Sequence, residues 1–366
     1  PYASAVMAYE KMNFFAVISV LDAVLKLVAV LLLPFLRGDN LIWYGFLILA
    51  ISVINFALYY VYSKRSFGYL TLKRIEDKSL YKGMLSFSGW NLFGTFALMM
   101  KEQGLNMVLN LFFGPVVNAA RGVAYQVINA IRGFTSNIYT AARPQFTQSY
   151  AQGESKRTIQ LMFSTSKLCF ILLLILSLPV MIEVEYVLKL WLGENVPEYT
   201  TIFVILVIVS SLITVFNPAM SFVIHATGKM RTYQIAGALI DLLILPTAYF
   251  FLKLGYQPES VFIISIVFNA IQQIVSLIIV KRLVPFSIKS YISQVWLPLG
   301  LVVLIVAAST YGVHSLMPQN FLRLCVVVVV SSVFTIVFSY FLSLNGSERT
   351  IFNSFVNKLI KRDQIS

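Results

Sequence analysis

The sequence predicts an all-α polytopic membrane protein, and three observations carry the prediction. Apolar residues make up 58% of the 366-residue chain and charged residues only 12%. A soluble domain holds about 45–50% and about 25% respectively. The apolar residues gather in ten long stretches, and the cations gather in every other gap between them.

A spanning helix needs roughly 20 mostly apolar residues. Such stretches lie at about 13–35, 41–63, 84–112, 115–140, 160–182, 199–225, 233–253, 259–280, 294–314 and 321–343. Lipid offers a backbone no hydrogen-bond partner, so a crossing segment is a helix or part of a closed barrel. Barrel strands are short and alternate in polarity; these stretches are long and continuously apolar. Taken in order, the first two spans lead into a loop holding Lys64, Arg65, Lys73, Arg74, Lys78 and Lys82. The third and fourth are joined by the short turn Phe113-Gly114-Pro115, which makes them antiparallel neighbours. After the fifth, Tyr186 to Tyr199, with Trp191 and Leu192, reads as an interfacial helix. After the tenth, Glu348 to Arg362 interleaves Ile351, Phe352, Phe355, Leu359 and Ile360 with basic residues, as in an amphipathic helix on a membrane surface. Proline and glycine fall mostly near span ends, with Gly94, Gly104, Pro179, Pro218 and Gly237 as expected kinks. The chain opens on Pro1, and its first eight residues resemble the end of a membrane segment, which predicts that an N-terminal part of the parent protein precedes them.

The net charge of +13 is not that of a nucleic-acid binder, because of where the cations lie. Nineteen of the 28 Lys and Arg residues fall before the first span, in the even gaps or after the last span. The odd gaps hold only Arg37, Lys189, Lys253 and Arg323, and they collect the acids Asp39, Glu183, Glu185, Glu194, Glu198 and Glu259. This is the positive-inside bias, which predicts a cytoplasmic C-terminus. No phosphate-binding glycine loop, zinc motif or nucleophile triad is present, and the loops are too short for a soluble catalytic domain. Cys169 and Cys325 read as packing residues in spans, and His225 and His314 lack companions at metal-ligand spacing, so neither metal nor cofactor is expected.

Five cations, Lys26, Lys101, Arg121, Arg132 and Lys167, fall inside spans. Each costs about 2.5–3.5 kcal/mol at a helix centre unless it faces protein or water. Arg121 and Arg132 are 11 residues apart and share a helix face with Asn118 and Asn129. The preceding span carries Lys101, Glu102, Gln103 and Asn106. The two helices are expected to line a cationic cavity, with Lys101, Arg121 and Arg132 meeting an anionic headgroup and the four amides its polar wall. The alternative is that the cations pair with Glu102, Asp22 or Asp241 and hold helices together. Asp22 and Lys26 stand at i,i+4 and can pair along one helix; Asp22, Glu102 and Asp241 are also the carboxylates available for a coupling ion. Lys167 is expected to snorkel to the basic side.

Ala8 to Phe15, leading to Asp22, and Ala226 to Tyr233, leading to Asp241, share Ala, Lys-Met and an aromatic in register, with the Asp one residue off. That repeat relates the first and seventh spans, a six-helix unit of constant orientation, as transporters use.

The runs Gly89-Trp90-Asn91-Leu92-Phe93-Gly94, Gln103-Gly104-Leu105-Asn106 and Asn110-Leu111-Phe112-Phe113-Gly114-Pro115-Val116-Val117-Asn118-Ala119-Ala120-Arg121-Gly122 resemble bacterial polysaccharide-biosynthesis flippases. So do Ala8-Tyr9-Glu10-Lys11-Met12, Asn129, Ala142-Arg143-Pro144-Gln145, Ser149-Tyr150, Leu190-Trp191-Leu192-Gly193 and Val196-Pro197-Glu198-Tyr199. These are the O-antigen (Wzx-type) members of the multidrug/oligosaccharidyl-lipid/polysaccharide superfamily. The resemblance implies a MATE-like, two-lobed transporter of 12 to 14 helices, of which this chain supplies helices 5–14. It implies the end of a first lobe at 1–63, a linker at 64–83, a second lobe at 84–283, two extra helices at 284–344 and a cytoplasmic tail at 345–366. It implies an inner-membrane flippase that carries undecaprenyl-pyrophosphate-linked oligosaccharide by alternating access, beside polysaccharide polymerase and chain-length machinery. A cation-coupled drug exporter and, further off, a membrane glycosyltransferase or polymerase are the other readings.

Overall fold

The computed structural model describes residues 2–9, 11–36, 38–67, 78–350 and 352–354. It is all-α, with no strand among the described residues. The expectations placed on Glu10, Arg37, Lys73, Arg74, Ile351 and the tail from Phe355 lie outside those residues. The chain divides into two compact units, Pro1–Tyr81 and Lys82–Ser366.

The first unit holds α1 (Tyr2–Ala8), α2 (Met12–Leu32), which ends in a 3-10 turn at Leu33–Phe35, and α3 (Asn40–Ser66). The carboxylate of Asp39 starts α3 by accepting from the Leu41 amide at 2.8 Å, which satisfies one orphan donor of the first turn. Phe14 and Tyr62 stack with centroids 3.6 Å apart and bind α2 to α3. Asp22 takes Lys26 at 2.7 Å and the Asn55 amide at 2.7 Å, so the intrahelical pair also crosses to α3.

The second unit holds α4 (Lys78–Phe113) from its second turn on, then α5 (Pro115–Ala151), α6 (Ser155–Ile182) and α7 (Val184–Leu192). Next come α8 (Thr200–Thr214), α9 (Asn217–Thr227), α10 (Arg231–Lys253) and α11 (Glu259–Leu283). It closes with α12 (Ile288–Tyr291), which runs through a π-turn at Ile292–Trp296 into α13 (Leu297–Leu316), and α14 (Phe321–Leu342). Gly114 sits at φ +77°, open to glycine at no steric cost, and Pro115 follows with its φ preset for a first helical turn. That pair reverses the chain between α4 and α5.

Among the described residues, eight helical runs are long and apolar enough to cross a membrane. The two spans of the sequence reading outside that set are α4 and α5. Their 36 and 37 residues make helices of about 54 Å, longer than the roughly 30 Å hydrocarbon layer, but Lys101, Glu102, Arg121 and Arg132 interrupt their apolar character. Buried Ala120, Ala124, Ile128 and Ile131 seat α5 in the bundle, while Gln126, Asn129, Ser136 and Asn137 stay exposed along it.

Lipid tails are as apolar as leucine, so close packing and polar contacts, rather than water exclusion, hold such a bundle together. Between α4 and α10, glycines of α4 make room for side chains of α10. A Cβ at Gly104 would stand 2.6 Å from a Leu245 methyl, and one at Gly94 1.9 Å from the Gln234 side-chain oxygen. Gly94 and Gly104 are therefore contact positions. Pro218 does mark a break: α8 stops at Thr214 and α9 starts at Asn217, where the sequence reading has one continuous span.

Two buried ionic clusters fasten the two ends of α14 to α6, and the first also takes in α13. Glu183 binds Arg323 Nη2 and His314 Nδ1, both at 2.8 Å. Lys167 binds Glu348 at 2.9 Å and the Ser343 carbonyl at 2.8 Å. Lys167 is only 2% exposed, so it does not snorkel to water as expected; a carboxylate from the chain beyond α14 comes to it instead. Burial alone would raise the Glu348 carboxyl, but the Ser164 hydroxyl, the Asn345 amide and Lys167 outweigh it and hold it below the ordinary glutamate value.

Candidate substrate cavity

Helices α4, α5, α8, α9, α10 and α11 of the second unit, with Leu173 of α6, line a cavity of about 580 Å³. Hydroxyl and amide side chains recur around its wall at helical spacing. Ser210, Ser211, Thr214, Asn217 and Ser221 follow α8 into α9, and Ser265, Asn269 and Gln272 follow α11. Tyr125 and Tyr139 face it from α5, and Tyr233 from α10.

The break between α8 and α9 forms part of the wall and frees backbone groups that a continuous helix would pair. The Tyr139 hydroxyl reaches across from α5 and donates to the freed Val215 carbonyl. Interrupted spans are tolerated where they line a cavity or find such a partner. Phe216, at the break, stacks on Phe170 of α6 with centroids 5.2 Å apart.

Four charged side chains line the cavity. Lys101 of α4 meets Asp241 of α10 at 2.8 Å, and both are buried. Glu102 lies one residue on, about 100° around the helix, and so turns towards α5, where it binds Arg121 at 2.7 Å. Arg132 is different. It donates to the Ser211 hydroxyl at 2.7 Å and the Thr214 hydroxyl at 3.3 Å, and among the described residues no carboxylate lies within ion-pair distance of it.

Of the residues expected to meet an anion, Lys101 and Arg132 line this cavity and Arg121 does not. Arg121 and Arg132 do share a stripe of α5, but 11 residues separate them by about 16 Å along the axis. Near the α4–α5 turn, Arg121 is enclosed by Glu102, the Asn106 side chain and the Tyr125 ring, whose centroid is 4.6 Å from its guanidinium carbon. The amides expected to line the wall are elsewhere too. Gln103, Asn106 and Asn118 are hydrogen-bonded together near Arg121, and Asn129 is exposed on α5 but is not among the residues that line the cavity. Of the expected carboxylates, Glu102 and Asp241 are on the wall, and Asp22 belongs to the first unit.

The residues that sequence reasoning missed are the neutral ones. Their signal was present: Ser211, Thr214, Asn217 and Ser221, with Ser210 beside the first, repeat every three or four positions through an otherwise apolar stretch, as one face of a helix does. No group of three His, Cys, Asp or Glu side chains among the described residues could hold a metal ion. Chemically, the wall offers many neutral donors and acceptors, three phenol rings, the Lys101–Asp241 ion pair, the Glu102 carboxylate held by Arg121 from beyond the wall, and one guanidinium bound only to hydroxyls.

No family model, curated protein or solved structure matches this chain.

Proposed function

We propose that the protein is a flippase for lipid-linked oligosaccharide in a bacterial inner membrane, with its C-terminus in the cytoplasm. The observation that carries the reading is Arg132, a guanidinium without a carboxylate, facing a polar cavity among membrane helices. A membrane protein keeps such a charge where an anion or water comes to it. Two further features support the reading. The exposed polar stripe on α5, through Gln126, Asn129, Ser136 and Asn137, suits an aqueous path better than lipid. The resemblance of residues 89–122 to polysaccharide flippases supplies the substrate class, an amphiphile with a sugar head and an anionic link.

Transport would follow alternating access, with a polymerase and chain-length machinery downstream. Lys101 and Arg121 each hold a carboxylate, so they serve as braces and Arg132 as the anion contact. A cation-exporting antiporter would call for an acidic cavity, and every carboxylate on this wall already faces a cation.

The test is complementation. The full-length protein should restore surface polysaccharide to a bacterium lacking its own flippase. Arg132→Ala, at normal membrane levels, should lower the yield of an anionic repeat unit, with partial recovery in Arg132→Lys. No polysaccharide from the wild-type protein with any repeat unit counts against the reading.

A further inference from the structure

Resting on that reading, we propose that the cavity of the second unit receives an acidic sugar of the cargo, with Arg132 forking its single carboxylate, and that the pyrophosphate lies elsewhere. Charge balance is the first argument. Lys101, Arg121 and Arg132 stand against Glu102 and Asp241, and both carboxylates lie within 2.8 Å of a cation. One positive charge is left over. A sugar carboxylate brings one negative charge and cancels it. A pyrophosphate diester brings two, and among the described residues of this wall no second unpaired cation meets the other charge.

The wall gives the second argument. Arg132 is held by two hydroxyls, Ser211 and Thr214, which keep its planar fork ordered yet can rotate to meet a ligand. Around it stand amides and phenols, whose donors and acceptors match sugar hydroxyls and whose rings match the apolar face of a sugar. The Asn217 carboxamide lies on the wall among them. The volume, about 580 Å³, lies in the range of small-molecule pockets, about 300–1,000 Å³.

Two measurements test the proposal. In saturation-transfer NMR on the purified protein in lipid nanodiscs, D-glucuronate should bind, D-glucose should bind at least about tenfold more weakly, and inorganic pyrophosphate should not displace the glucuronate. Arg132→Gln should lose glucuronate binding while thermal unfolding shows it folded, and Arg132→Lys should retain part of it should the Gln variant fail to fold. Equal binding of glucose and glucuronate, displacement by pyrophosphate, or unchanged binding in both variants overturns the proposal. In cells lacking their own flippase, Arg132→Gln should fail with a uronate-containing repeat unit and still export a neutral one. Loss of both returns Arg132 to the pyrophosphate. A wild-type protein that exports neither unit removes the flippase reading, and the NMR result then decides the sugar site alone.

Discussion

Replacing either member of the Lys101–Asp241 pair should damage the second unit more than replacing both. The two charges stand 2.8 Å apart, with side chains 10% and 9% exposed. At an effective dielectric of about 20, a contact at that distance is worth about 6 kcal/mol of Coulomb energy, before the desolvation that offsets it. Removing one partner leaves a buried charge uncompensated, at a cost of about 3–5 kcal/mol. Removing both and filling the space with apolar groups is often neutral. Lys101→Met and Asp241→Leu should therefore each lower stability by about 3–5 kcal/mol, and the double variant should cost less than either single one. Denaturant unfolding in micelles, followed by far-UV circular dichroism, measures all four corners of the cycle. The reasoning fails if each single change costs under about 1 kcal/mol and the effects add, which is how an exposed pair behaves.

Three other expectations follow from the packing. Glu183→Gln should destabilise by about 3–5 kcal/mol, because it leaves Arg323 buried without its carboxylate; thermal unfolding of the variant gives the value. The Glu348 carboxyl is held below the ordinary glutamate value, so its contribution is present above that value, near 4.5, and fades as pH falls through the lower folded one. Glu348→Gln should cost about 1.5–3 kcal/mol at pH 7 and flatten that acid limb in a series of melts. Gly104→Val should overpack α4 against Leu245 at a cost of about 1–3 kcal/mol, and Leu245→Ala in the same chain should return part of it.

The fold was readable because a bilayer imposes helices on any crossing segment, and apolar length is visible in one dimension. Where reading failed, a partner from a distant part of the chain decides. Lys167 was sent towards water by its own helix, but Glu348 lies 181 residues away and comes to it. The periodicity that aligned Arg121 with Arg132 was sound; their separation along the axis, and the turn of Glu102 towards Arg121, put only Arg132 at the cavity. The break after Thr214 had a cue in Pro218, yet its closure depends on Tyr139, 76 residues earlier. The neutral wall was legible only as a spacing, since a serine in an apolar span can bond its own helix's carbonyl, as Ser211 does to Val207, and so need not mark a cavity.

The most direct test is reconstitution. The full-length protein in liposomes should move a lipid-linked oligosaccharide bearing an acidic sugar from one leaflet to the other, as read by its growing accessibility to an external sugar-modifying enzyme. Arg132→Ala, reconstituted to the same density, should slow that movement at least about tenfold. Movement no faster than in protein-free liposomes, or equal movement by the Ala variant, would contradict the account.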